Sequence, residues 1–288
     1  SSDVCSSDLG GETFDTLRIL PGISGGKNVR GIYFVNSNLG FISGNSQYKI
    51  FKTTDGGNTW SQLPNLDATN YYDVFATDEL NITACSDGGK IYKTTDGGAS
   101  WNIGQLGTGQ PLYDLEFVND TLGYVCGGVG YFHVTTDGGF TWSSGANTPS
   151  SYTNYQVRVV NNEIYVAGDY TKLFKSTDNG NSWSTFNLPA STLYPGFSYC
   201  VNVVGSTIVA AGRYGNIYKS TDSGSNWTNL SQRYSDWGVS ASIYVESTNG
   251  KIIATGHWSD FPGSIVYSND GGNIWQVSPF VSGQTTSV

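Results

Sequence analysis

The sequence predicts an all-β protein, a β-propeller of four-stranded antiparallel blades, on three observations. One phrase returns six times: KTTDGGNTW at 52–60, KTTDGGASW at 93–101, VTTDGGFTW at 134–142, KSTDNGNSW at 175–183, KSTDSGSNW at 219–227 and YSNDGGNIW at 267–275. The closing tryptophans (Trp60, Trp101, Trp142, Trp183, Trp227 and Trp275) stand 41, 41, 41, 44 and 48 residues apart, a period at which one supersecondary unit buries its face against the next. Each period holds four short apolar runs parted by polar turns, and that many hairpins per unit suit a blade better than a solenoid coil.

In the unit ending at Trp60, residues 30–35 read as a first strand, 36–38 as a polar turn and 39–44 as a second strand. Residues 48–53 follow as a third strand, and the Asp-Gly-Gly turn leads into a fourth at 59–63. The same order recurs at 112–118, 123–126, 131–135 and 141–144. Pairs such as Gly56-Gly57 supply the positive φ that a tight hairpin needs. Asp55, Asp96, Asp137, Asp178, Asp222 and Asp270 accept hydrogen bonds from turn amides, helped by the preceding Ser or Thr. Each Trp is expected to cover its turn and pack between strands. The identical setting of the six acids makes their role structural. Lys52, Lys93, Lys175 and Lys219 recur as a solvated face with packed stems rather than an anion-gripping ring.

Residues 10–14, GGETF, match the end of the first phrase with Phe14 in the Trp place, while SSDVCSSDL at 1–9 fits no repeat. The expected organisation is a non-native leader at 1–9 and one propeller at 10–288, truncated at its N-terminus. Six complete repeats follow the damaged phrase. Either that phrase is the last strand of a missing first blade, giving seven blades in the parent protein, or its strand closes a six-bladed ring. Seven is preferred.

Composition removes several function classes. A formal charge of −9 leaves no basic stripe to neutralise phosphates, so nucleic acid is not an expected partner. No apolar run approaches the ~18 residues of a membrane span. Charged residues are only 13% of the chain, and the lysine-poor, Tyr/Asn/Thr-rich composition suggests an exported protein: extracellular, periplasmic or at the cell surface. Cys85, Cys126 and Cys200 read as small core residues, since Gly44, Ala167 and Ala211 hold the place of the first two in other repeats. His133 stands where other units have Phe51, Tyr92, Phe174 and Tyr218, and is a packing residue. No metal site or cofactor is expected.

The phrases are Asp-boxes, also called bacterial neuraminidase repeats. Together with Phe34, Gly40, Phe41 and Gly44, or Phe117, Gly123, Tyr124, Gly127 and Gly128, they make the sequence similar to the photosystem II stability/assembly factor-like family. The resemblance covers nearly all of 10–280 and implies a seven-bladed, non-catalytic propeller acting in assembly. The chain departs from that family in having only Arg18, Arg30, Arg158, Arg213 and Arg233, which speaks against a basic binding patch. Sialidases share the boxes, but their arginine triad and Tyr–Glu nucleophile have no counterpart; Arg18-Ile19-Leu20-Pro21 is one residue too long for their signature. Xyloglucan-cleaving relatives place two aspartates between two propellers, and Asp87, Asp169 and Asp260 cannot be paired from sequence.

A binding site is expected where the repeat is broken. Trp237 and Trp258 are the two tryptophans outside the boxes, both in the 48-residue unit. His257, Trp258 and Asp260 fill the loop between its second and third strands, and Arg213 and Tyr214 hold the equivalent loop one unit earlier. Loops on a rigid scaffold collect binding groups. The expected ligand is a protein or a glycan, with a glycoside hydrolase or a structural module of a larger surface protein as alternatives.

Overall fold

Among the described residues, six four-stranded antiparallel sheets follow one another, each taking its strands in sequence order. The computed structural model describes residues 4–7, 14–17, 29–45, 49–107, 109–149, 152–168, 172–189, 198–212, 216–230, 242–245, 251–256, 264–274 and 276–277. Blade one comprises Val29–Phe34, Gly40–Gly44, Ile50–Thr53 and Ser61–Gln62. Blade two comprises Tyr71–Ala76, Ile82–Ser86, Lys90–Thr94 and Asn102–Gln105. Blade three has Leu112–Phe117, Gly123–Gly127, Phe132–Thr135 and Ser143–Ser144. Blade four has Asn154–Val160, Glu163–Gly168, Lys172–Ser176 and Ser184–Asn187. Blade five has Ser198–Val204, Thr207–Gly212, Ile217–Ser220 and Thr228–Asn229; blade six has Ser242–Val245, Ile252–Gly256, Ser264–Ser268 and Gln276–Val277. Ahead of them Val4–Ser7 pairs with Phe14–Leu17, so part of the segment that fits no repeat forms a hairpin with the strand that begins at Phe14.

Local chemistry sets the turns. Between first and second strands an Asx side chain captures two amides: Asn36 those of Asn38 and Leu39, Asp78 those of Leu80 and Asn81, Asn119 those of Thr121 and Leu122. Phe34 lies opposite Gly40 and Phe117 opposite Gly123, and a Cβ on either glycine would fall 2.6 or 2.7 Å from the ring. Glycine is needed there because an aromatic ring lies flat across the backbone. The fourth strands are shorter than the sequence suggests. The Thr59 N–H goes to the Asp55 carboxylate, and ladder pairing resumes only at Ser61.

The core lies between sheets. Phe41 and Ile50 of blade one pack with Tyr71, Val74 and Ile82 of blade two. Cys85 and Ile91 meet Leu112, Leu115 and Val125, and Phe132 meets Val157, Val166 and Phe174. Leu173 meets Val201 and Ile208, and Val209 and Ile217 meet Ile252. Successive blades thus bury facing sheets against one another, and the first strands pack in turn from blade one to blade six. The strand-three lysines are less solvated than the sequence suggests. Lys93 is buried beneath the Phe140 ring, Lys219 donates to the Gly271 carbonyl of the next blade, and Lys52 pairs with Glu79.

Candidate functional site

The inner edge of a propeller poses a chemical problem, because each first strand has N–H groups with no strand to bond. Here the preceding blade supplies acceptors. Asp73 Oδ2 receives the Leu115 N–H at 3.2 Å, Asp114 Oδ2 receives that of Val157 at 2.8 Å, and Gln156 Oε1 receives that of Val201 at 2.7 Å. Blade one has Gly31 in this row. A Cβ there would lie 2.5 Å from Asp73 Oδ1, so the glycine leaves room for the carboxyl.

Two residues further along the strands, Arg158 Nη1 contacts Glu116 Oε2 at 2.7 Å. Burial raises the pKa of Asp73 to about 7 and that of Asp114 well above the usual range, each reinforced by the neighbouring acids. Glu116 is raised by burial against the pull of Arg158. Asp73 and Asp114 keep slight solvent contact while protein surrounds them, as befits side chains along a narrow axis. Their carboxyls are committed to backbone amides, which assigns them to holding blades together. Among the described residues, no group of three His, Cys, Asp or Glu could hold a metal ion.

One step before this layer, blades one to five share a β-bulge, with register breaks at Val29/Gly31, Tyr71/Asp73, Leu112/Asp114, Asn154/Gln156 and Ser198/Cys200. The extra residues are Arg30, Tyr72, Tyr113, Tyr155 and Tyr199. A bulge re-aims the side chain it carries. Tyr72 and Tyr113 meet edge to face at 4.7 Å and 69°, and Tyr113 and Tyr155 are tilted by 52° at 5.5 Å. The Arg30 guanidinium lies over the Tyr72 ring at 4.4 Å. Tyr72 donates its hydroxyl to Asp87 Oδ1 at 2.9 Å, and Asn70 holds the other oxygen. Three rings, all partly exposed, therefore form a row across three blades at the end where the first strands begin. Sequence reading missed this row, although Tyr72, Tyr113, Tyr155 and Tyr199 recur at the repeat spacing.

The residues singled out from sequence for binding, Arg213, Tyr214, Trp237, His257, Trp258 and Asp260, lie outside the described residues, as do Asp169 and Trp275. The boxes lie in the turns from third to fourth strand. In blade one, Asp55 Oδ1 accepts the Thr59 N–H at 2.9 Å and the Thr53 hydroxyl at 2.7 Å, while Oδ2 accepts the Thr59 hydroxyl at 2.6 Å. Asp96, Asp137, Asp178, Asp222 and Asp270 likewise accept the amide four residues on at Oδ1. The bond from Thr59 chiefly, then Thr53, holds the Asp55 pKa near 2; Asp96 and Asp178 are held there by Ser100 and Ser182, and Asp222 by Asn226. Each acid closes within its own turn, so the six do not converge.

The indoles complete those turns. Trp60, Trp142 and Trp227 donate to the glycine carbonyl three residues back, whereas Trp101 and Trp183 reach Pro64 and Ala146 beyond the preceding blade's fourth strand. Cys85, Cys126 and Cys200 are buried. His133 is buried as expected, yet neither ring nitrogen has a hydrogen-bond partner among the described residues.

Residues 99–261 match the family model described as photosynthesis system II assembly factor YCF48. No curated protein matches the sequence. Among solved structures, YCF48 bound to D1 peptide superposes with a TM-score of 0.68 at 17% identity, over 88% of this chain and 83% of that one. YCF48 from Cyanidioschyzon merolae gives 0.68 at 15% identity, over 88% and 86%. A GH74 xyloglucanase from Xanthomonas campestris gives 0.66 at 14% identity, over 89% of this chain and 46% of its own. At such identities the structural likenesses speak for the propeller fold alone.

Proposed function

The chain belongs to the photosystem II assembly factor YCF48 family, and on that premise we propose that it is a non-catalytic propeller that binds a segment of a protein partner. The observation that carries the reading is the row of Tyr72, Tyr113 and Tyr155. Their rings are carried on inner strands, in contact from blade to blade, and partly open to solvent. Aromatic side chains held this rigidly give large contact area at low entropic cost. A similar structure, YCF48 bound to D1 peptide, supports a peptide as the kind of ligand such a scaffold takes.

The breaks in the repeat extend the proposed face: Arg213, Tyr214, Trp237, His257, Trp258 and Asp260 are proposed to widen the site around the tyrosine row. The composition supports export of the chain, to a compartment or surface where it meets its partner.

Peptide and glycan arrays probed with the intact chain and with Tyr113→Ala and Trp258→Ala test this reading. Peptide binding that falls at least tenfold in Tyr113→Ala is expected. Binding confined to glycans, or unaffected by either substitution, rejects it.

A further inference from the structure

We propose that the tyrosine row is a seat for a cationic side chain, so that the partner segment is an extended peptide presenting arginine or lysine. This inference rests on the peptide-binding reading above and narrows it to one class of peptide.

Ring geometry is the first argument. Interplanar angles of 69° and 52° turn the ring faces in different directions along the row, so the three rings do not make one flat surface. A sugar prefers a broad, flat platform, whereas a cation is drawn to the negative face of each ring. The chain itself supplies the second argument. Arg30 occupies the bulge position of blade one and rests its guanidinium over Tyr72 at 4.4 Å, so one end of the row already holds the group proposed for the rest. One layer deeper, Arg158 lies against Glu116 at 2.7 Å, and the axis accommodates a second guanidinium there.

Charge provides the third argument. The chain carries −9 overall, and Asp87 borders the row through the Tyr72 hydroxyl. Lys90, the first residue of the strand that follows Asp87, faces Asp67 at 3.7 Å. A basic segment is thus attracted at long range and an acidic one repelled.

The test uses fluorescein-labelled, end-capped Gly/Ser nonapeptides with three alternate positions set to arginine, to neutral and nearly isosteric citrulline, or to glutamate. Anisotropy titrations on the intact chain should show the arginine peptide binding about three- to thirtyfold more tightly than the citrulline peptide, with the glutamate peptide weakest. Tyr113→Leu and Tyr155→Leu should abolish that preference, while Tyr113→Phe keeps it. Arg30→Met uncovers the Tyr72 face and should tighten binding about two- to fivefold, a gain no misfolded variant would show. Equal affinity for arginine and citrulline peptides, with binding still lost in Tyr113→Leu, overturns the cationic class and leaves the site standing. Binding unchanged in folded Tyr113→Leu overturns the site as well, and failure of every peptide to bind ends both readings.

Discussion

Asp96 in the outer turn of blade two and Asp73 on the inner strand of the same blade are pushed in opposite directions. Asp96 is exposed and receives the Ser100 hydroxyl and amide and the Thr94 hydroxyl, so its ionised form is favoured and its pKa held near 2. Asp73 is surrounded by protein, lies close to Asp114, and spends its Oδ2 on the Leu115 amide of the next blade. Its neutral form is favoured. The outer turn is chemistry written within nine residues and repeated; the axis is assembled from side chains that meet only when blades stand together.

Stability should therefore respond to pH differently at the two places. A depressed carboxylate contributes stability above its unfolded pKa near 4, and that contribution is lost as pH falls through about 2. A raised one holds its proton in the folded state after the unfolded chain has released it. Stability then falls as pH rises from about 4 through about 7.

The largest expected effect comes from the outer side. Trp60, 7% exposed, covers its turn and donates to Gly57, and Trp60→Ala should cost about 3–5 kcal/mol in urea unfolding. Next comes Asp73→Asn, which keeps an acceptor for Leu115 but cannot ionise. It should raise stability at pH 8 by a few kcal/mol, since each tenfold change in proton affinity is worth on the order of 1.4 kcal/mol, and flatten the decline between pH 4 and 7. An Asn variant less stable than the parent at pH 8 would sink the assignment of the axial carboxyl as neutral.

A smaller gain, roughly 1–3 kcal/mol, is expected of His133→Phe, which places at this position the residue found at Phe51 and Phe174 and removes two unpaired buried nitrogens. Burial depresses the His133 pKa, so the parent loses stability as pH falls below about 6.5 and the variant should not. Asp96→Asn should have the smallest effect. It lowers Tm by a few degrees at pH 7, because the amide nitrogen cannot accept the Ser100 hydroxyl, and the difference should vanish near pH 2. Calorimetric scans of the four variants across pH 2–9 separate these outcomes.

The outer turns were legible in the sequence because every determinant lies within one phrase. Thr53, Asp55, Gly56, Gly57 and Trp60 are local, and their period gave the blades and their strand order. The small core positions of Cys85, Cys126 and Cys200 were legible for the same reason. The axial layer was not. Glu116 and Arg158 lie 42 residues apart, and only the packing of blade three on blade four brings them together. The tyrosine row was visible as a spacing, but a bulge is a mismatch between two strands, and a single strand does not reveal it. Lys93 was misjudged because the Phe140 ring that covers it belongs to the next blade's turn.

The three interior thiols have a practical consequence. Cys85, Cys126 and Cys200 stand in blades two, three and five, fully buried, and burial pushes the acidity of Cys85 and Cys126 well away from the reactive thiolate. An alkylating reagent can reach each sulfur only after its own pair of sheets has parted, so the order of modification is a clock for disassembly. Simultaneous labelling would mean that the blades part in concert; staggered labelling would mean that they fray one pair at a time.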